Sequence, residues 1–169
     1  MCYNDRMIPV RTKENTCFFT GHRDLSEAEE RAVRLQLVSL IGELAERGYS
    51  WFVCGGALGF DTAAALMVLV RKLSIPDIGL YLALPCREQA RKWAPYNQRV
   101  YDHILEEADG FEYVFETYNA RCMMARNRRM ADMSSLCIAY QLRNSGGTAA
   151  TTRFASSIGV PVYNLAEHI

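Results

Sequence analysis

Two short glycine-rich stretches carry the strongest chemical signal in the sequence. The first is Cys54-Gly55-Gly56-Ala57-Leu58-Gly59-Phe60-Asp61, with three glycines in five positions. An apolar run, Trp51 to Cys54, leads in, and an apolar-rich segment, Thr62 to Leu73, leads out. That order reads as strand, glycine turn, helix. Glycines let the backbone turn sharply and approach a ligand closely. The helix that follows points its free N–H groups and positive dipole end back at the turn, which suits phosphate. Asp61 reads either as a helix cap or as an acceptor for ligand hydroxyls. The second stretch, Ser145-Gly146-Gly147-Thr148, also stands ahead of a helical segment. Its N–H groups, with the hydroxyls of Ser145, Thr148, Thr151 and Thr152, suit phosphate as well. Neither stretch has the GxGxxG dinucleotide pattern or the P-loop lysine. One such turn could be a plain connection; two, each between strand and helix, favour phosphate binding.

Charge is concentrated in one later segment. Arg121, Arg126, Arg128 and Arg129 fall within a helical pattern from Ala120 to Met133. Positions 121, 125, 128 and 132 share a face that can be solvated or pair with acids between Asp102 and Glu116. Arg126 lies towards Met123 and Met130, on the apolar side, where an arginine needs a carboxylate or a ligand phosphate. Gly21-His22-Arg23 is either a surface loop or a phosphate and ribose contact. Gln89, Trp93, Asn97 and Tyr101 recur at a spacing of four, interrupted by Pro95. They read as packing of Trp93 and Tyr101, or as a wall for a base with Gln89 at its edge. His22, His103 and His168 are too far apart for a metal spacing. No metal or cofactor is expected, and no GxSxG or Cys-His nucleophile pattern stands out.

The elements that would position these residues alternate. Strands are expected at Cys17 to Thr20, Trp51 to Cys54, Ile78 to Leu84, Phe111 to Phe115, Leu136 to Tyr140 and Val160 to Tyr163. Helices are expected from Ser26, with a Ser26/Glu29 capping box, to about Arg47-Gly48, and over Thr62 to Leu73. Two helical pieces, Glu88 to Trp93 and Tyr96 to Ala108, are divided by Pro95. Two more follow, Ala120 to Met133 and Gly146 to about Ser157. Apolar strands alternating with helices predict an α/β fold, a single Rossmann-like domain whose mainly parallel sheet has helices on both faces. Ligands in such sheets sit beyond the strand C-termini, at the switch point, and all the flagged loops, including Pro85 to Trp93, follow strands. Met1 to Thr16 lacks periodicity and reads as a flexible N-terminal arm, residues 17–169 as the domain.

Composition narrows the function classes. The net charge is zero, which disfavours a protein living on nucleic-acid phosphates. Six scattered cysteines without a CxxC pair fit a reducing, cytoplasmic setting. No signal peptide is evident, and no apolar run approaches the ~18 residues needed to span a membrane.

The motifs resemble a known superfamily. Gly55 to Asp61, followed by alanines, resembles the SGxARGID stretch of the DNA-processing A (SMF) proteins. Met123-x-x-Arg126-x-x-x-Met130 with Gly146-Gly147-Thr148 resembles the MxxRxxxM…PGGxGT arrangement of the LONELY GUY phosphoribohydrolases. Both belong to the SLOG superfamily. Thr20 to Arg23, Gly55 to Thr62, Leu84-Pro85-Cys86, Gln89, Trp93 and Arg126-Asn127-Arg128, together with the second glycine turn, look most like its YpsA-like branch, from about Cys17 onwards. The resemblance implies a Rossmann-like sheet that binds a nucleotide or nucleotide-derived small molecule, ADP-ribose-like or cyclic-nucleotide-like, as a sensor or sequestering protein, and a homo-oligomer. The expected ligand-binding residues are Gly21, His22 and Arg23; Gly55, Gly56, Ala57, Gly59 and Asp61; Pro85, Gln89 and Trp93; Arg126 and Asn127; and Ser145, Gly146, Gly147 and Thr148. In the phosphoribohydrolases an arginine and a glutamate cleave a base from a ribose 5′-monophosphate. Arg126 matches the arginine, but Ala149, Ala150, Thr151 and Thr152 stand where the glutamates would follow, so the enzyme reading is the alternative, with Asp61, Glu88 or Asp132 as substitute acids. Leu58 stands where the DNA-processing proteins usually carry arginine, which weakens a single-stranded DNA-binding reading.

Overall fold

A computed structural model describes residues 7–169. Six strands form one all-parallel sheet: β1 (Thr16–Gly21), β2 (Trp51–Cys54), β3 (Gly79–Leu84), β4 (Gly110–Tyr113), β5 (Leu136–Tyr140) and β6 (Val162–Asn164), in the order β4-β3-β2-β1-β5-β6. Helices α1 (Glu27–Glu46), α2 (Phe60–Lys72), α3 (Pro95–Glu107), α4 (Cys122–Asp132) and α5 (Gly146–Ser157) connect them. This is the expected α/β sheet covered on both sides.

The order follows from crossover handedness. From β1 to β4 the chain steps outward in one direction, then returns to lay β5 against the other side of β1. Right-handed crossovers place outward-stepping helices on one face and returning ones on the other. Accordingly, Cys17, Phe19, Phe52, Leu80 and Leu82 pack with Val33 and Leu37 of α1, Met67 and Val68 of α2 and Ile104 of α3. The alternate strand residues Phe18, Val53, Ala83, Cys137 and Ala139 pack with Met130 of α4 and Ala155 of α5. The period-two alternation of each strand therefore feeds two apolar cores. The direction reverses between β1 and β5, which puts the switch point at their C-terminal ends.

Local signals set the boundaries. Ser26 accepts from the Glu29 N–H and Glu29 reaches back to the Ser26 N–H, closing the capping box of α1. One expected helix is absent. Glu88 to Trp93 is a succession of turns, closed by Gln89 N–H to Cys86 O, Arg91 N–H to Glu88 O and Trp93 N–H to Ala90 O. Pro95 is the cause. It forces Ala94 into an extended conformation and opens α3 as its first residue, in place of separating two helices. The Gln89-Trp93-Asn97-Tyr101 stripe is therefore not one helix face.

The expected arm is held at the opposite end of the sheet from the switch point. Trp51 Nε1 donates to the Pro9 carbonyl at 2.7 Å, the Arg11 guanidinium lies 3.6 Å from the Tyr81 ring centroid, and Thr16 already belongs to β1. Residues 1–6 of that arm lie outside the described residues.

Candidate functional site

A cavity of about 330 Å3 opens at the C-terminal ends of β1 and β5. The loop after β1 supplies Gly21, His22 and Arg23; the first glycine turn supplies Ala57 and Asp61; α4 supplies Arg126 and Asn127; and the loop into α5 supplies Arg143 and Ser145 to Thr148. The two expected glycine turns thus share one space with Arg23 and Arg126.

The first turn is organised from within. Gly55 N–H and Ala57 N–H both donate to Asp61 Oδ2, at 2.7 and 3.1 Å. Asp61 is 6 % exposed, so the carboxylate sits where a bound anion would otherwise meet those donors. On the other side, Gly55 O accepts from Arg126 Nη1 and from Gln89 Nε2, and Gly56 O accepts from Gln89 Nε2 at 2.8 Å. A side chain on Gly55 would begin 2.0 Å from Arg126 Nη1, so only glycine lets the guanidinium cross the turn. Gly59 has φ 74° and packs under the backbone of the β1 loop, whose His22 carbonyl accepts the Phe60 N–H at 3.0 Å.

This changes the role of several expected residues. Gly55, Gly56 and Gly59 shape the turn but do not line the cavity. Gln89 Nε2 is spent on the turn's carbonyls while its Oε1 is buried without a partner, Trp93 packs edge-on against Tyr101 with centroids 5.5 Å apart, and the Pro85 carbonyl accepts from Phe115 N–H. None of these three faces the cavity. Thr151 donates to Gly147 O and accepts from Asn127 Nδ2, and Thr152 donates to Gln141 Oε1. Their hydroxyls are committed within the fold, whereas Ser145 and Thr148 line the cavity.

The second turn is open. α5 begins at Gly146 with no side-chain cap from Ser145, and nothing stands within 4 Å of where a side chain on Gly146 or Gly147 would begin. Its first N–H groups and dipole end face the cavity without an internal carboxylate.

Arg126 is the central charge, 5 % exposed. Its Nε donates to Asn127 Oδ1 at 2.7 Å and its Nη1 to Gly55 O, while Nη2 has no acceptor among the described hydrogen bonds. Burial pulls its pKa down, with Asp61 opposing. Burial likewise pushes the Asp61 carboxyl up, while Arg126 and the Ala57 and Gly55 N–H groups pull it back. The two do not form a direct ion pair. Asp61 Oδ1 has no donor among the described hydrogen bonds, so one acceptor and one guanidinium nitrogen are uncommitted within the protein. Three arginines (Arg23, Arg126, Arg143) against one carboxylate make the cavity cationic in a chain of zero net charge.

Arg143 is the residue sequence reasoning missed. Its signal is a cation three positions ahead of Gly146, in the loop after β5. His22 fixes that loop: Leu142 N–H donates to His22 Nε2 at 2.9 Å. Burial, reinforced by Arg143, lowers the His22 pKa, with Glu29 opposing.

Two stability predictions follow from these bonds. Asp61→Ala strands two N–H donors, each worth about 1–3 kcal/mol when buried without a partner; access from the cavity and relief of charge burial bring the net loss to about 2 kcal/mol. Asp61→Asn keeps an acceptor oxygen and costs less than half as much in urea unfolding; equal losses would contradict the arrangement. The neutral imidazole accepts from Leu142, so folding favours the deprotonated form. Its contribution is complete above the ordinary histidine value of about 6.5 and is lost as pH falls through the lower folded-state value. Wild type should lose more stability than His22→Gln between about pH 7.5 and 5; parallel profiles would refute this.

Comparison with known proteins agrees with the fold. A UPF0398 protein from Halalkalibacterium halodurans is 34 % identical over 92 residues, which is 54 % of this chain and 46 % of the relative. A UPF0398 protein from Staphylococcus saprophyticus is 32 % identical over 75 residues, 44 % of this chain and 40 % of that protein. The matched part thus spans less than half the length of these curated relatives. The structure resembles DNA processing protein A from Streptococcus pneumoniae (TM-score 0.66, 21 % identity, 90 % of this chain and 50 % of the other). It also resembles DNA processing protein A from Helicobacter pylori, solved for its single-stranded DNA binding mode (TM-score 0.64, 22 % identity, 89 % and 64 %). At these identities the likeness is one of fold. The family model of the YspA SLOG family matches residues 17–156, and the chain belongs to that family.

Proposed function

We propose that the switch-point cavity binds a nucleotide or nucleotide-derived small molecule, ADP-ribose-like or cyclic-nucleotide-like, and that the protein acts as its sensor or sequestering partner. The observation that carries this reading is Arg126, which is 5 % exposed, lines the cavity, and has no acceptor for its Nη2 among the described hydrogen bonds. A buried cation with a free donor is stable only with an anion or water beside it. The open N-terminus of α5, Arg23 and Arg143 converge on the same space, and Asp61 Oδ1 offers an acceptor for sugar hydroxyls. The phosphate belongs at α5, since Asp61 fills the first turn. Self-association completes the proposal: Leu35 of α1, Val70 of α2 and Leu73 at the C-cap of α2 expose apolar surface on adjoining helices.

A second reading has its own support. Asp61 and Arg126 line the same cavity, so a carboxylate stands near the arginine although the sequence after Thr148 lacks one. That pairing would serve N-glycosidic cleavage of a nucleoside monophosphate, Asp61 stabilising positive charge on the sugar. The fold neighbours raise single-stranded DNA as a third ligand, against which stand the neutral net charge and Leu58. No helix among the described residues is long and apolar enough to cross a membrane.

Titration calorimetry with ADP-ribose and AMP tests the proposal. Arg23 and Arg143 are exposed, so Arg23→Ala/Arg143→Ala removes charge without disturbing the core. A charge-assisted hydrogen bond is worth about 1.5–3 kcal/mol, so the double variant should bind at least about tenfold more weakly. Unchanged affinity, or no binding of either compound by wild type, contradicts it. Free base released from AMP, and abolished by Asp61→Asn, would select the enzyme reading.

A further inference from the structure

Beside the anion cavity lies a second space of about 410 Å3, between α4 and α5. Met123, Asn127 and Gly147 line both, so the two adjoin. The chemistry changes across that boundary. Asn127 is spent at both ends, donating to Thr151 and accepting from Arg126, and Thr151 donates back to Gly147 O. The polar groups at the slot's back therefore satisfy one another. What remains, apart from the Arg128 side chain, is apolar and soft: Ala120, Met123, Met124, Ala150 and Phe154. Met124 is 60 % exposed, and the Arg128 guanidinium lies 5.3 Å from the Phe154 ring centroid.

We infer that this slot holds the nucleobase of the ligand whose phosphate sits at the N-terminus of α5, and that it accepts the base by stacking rather than by reading its edge. This rests on the nucleotide reading of the adjoining cavity. Methionine thioethers and a phenylalanine face make favourable contacts with a flat ring and adapt to its outline. An arginine already stacked on that phenylalanine extends the platform with a cation. Asn127 and Thr151 are satisfied within the protein and Gln89 does not line the slot, so no uncommitted amide there distinguishes adenine from guanine, and the Arg128 guanidinium that does line it lies over the Phe154 ring. The site selects a purine-sized stacking group attached to a phosphorylated ribose, and is tolerant of which purine it is. An apolar slot could also bury a helix of a second copy; its continuity with the cationic cavity argues for the base.

The test uses three probes that share a phosphate: ribose 5-phosphate, AMP and GMP. Stacking a base on aromatic side chains is worth enough to predict AMP and GMP binding about tenfold or more tighter than ribose 5-phosphate, with the two purines within about threefold of each other. Ala150 is exposed on α5, so Ala150→Leu fills the slot without touching the core. It should reduce AMP to the affinity of ribose 5-phosphate while leaving ribose 5-phosphate unchanged. AMP and ribose 5-phosphate binding equally to wild type would overturn the slot but leave the anion site standing. A strong preference between AMP and GMP would overturn stacking-only recognition. Failure of all three probes would remove the nucleotide reading and the slot with it. A change in oligomeric state of Ala150→Leu, with its AMP affinity intact, would assign the slot to a second copy instead.

Discussion

Arg126 can reach the switch point only because Gly55 has no side chain. Its guanidinium crosses the turn where a Cβ would stand and bonds the Gly55 carbonyl. The N–H of that same residue is held by Asp61, from the first turn of the next helix. One glycine is therefore gripped from both sides, by a cation from α4 and an anion from α2. Two buried charges that do not bond each other directly are a poor source of stability, because desolvation offsets their attraction. Here each charge also keeps one polar atom for the cavity. The arrangement spends its hydrogen bonds on position and, in the proposed function, leaves the remainder for a ligand.

Topology decides where that remainder points. The outward march from β1 to β4 and the return to β5 leave a gap between two loops that diverge to opposite faces. α2 enters from one face and α4 and α5 from the other, so their polar ends meet only there. The first glycine turn carries its own carboxylate and the second does not, which makes the two unequal despite similar sequence. The cavity's positive charge is local: Arg87 and Arg129 pair with Glu116 and Glu112 elsewhere on the surface, and the chain as a whole is neutral.

Much of this was legible in the sequence where local physics decides. Trp51 to Cys54, Leu136 to Tyr140 and Gly146 to Ser157 match their observed elements because apolar runs bounded by turn residues leave little choice. The displacement of Arg126 towards Met123 and Met130 gave its burial in advance. What escaped depends on three-dimensional partners. Asp61 is not the helix cap, a position Gly59 holds without a side-chain bond; one of its oxygens closes the turn ahead of the helix instead, a role no spacing rule could give. Gln89 had the right chemistry for a base edge but meets two backbone carbonyls first. The Gln89-to-Tyr101 stripe failed at Pro95, whose effect on Ala94 outweighs a spacing of four. Arg143 had no periodic pattern to mark it, because loops are placed by the elements they join.

The central claim is that the anion site lies on the second glycine turn and not the first. A crystal structure of the protein with AMP tests it most directly. The phosphate should lie within about 2.7–3.2 Å of N–H groups in the Gly146 to Thr148 segment, with Arg126 Nη2 directed towards the ligand and Asp61 still closing the first turn. A phosphate seated on Gly56 to Gly59, with Asp61 displaced, or one bound outside the cavity altogether, would contradict the account.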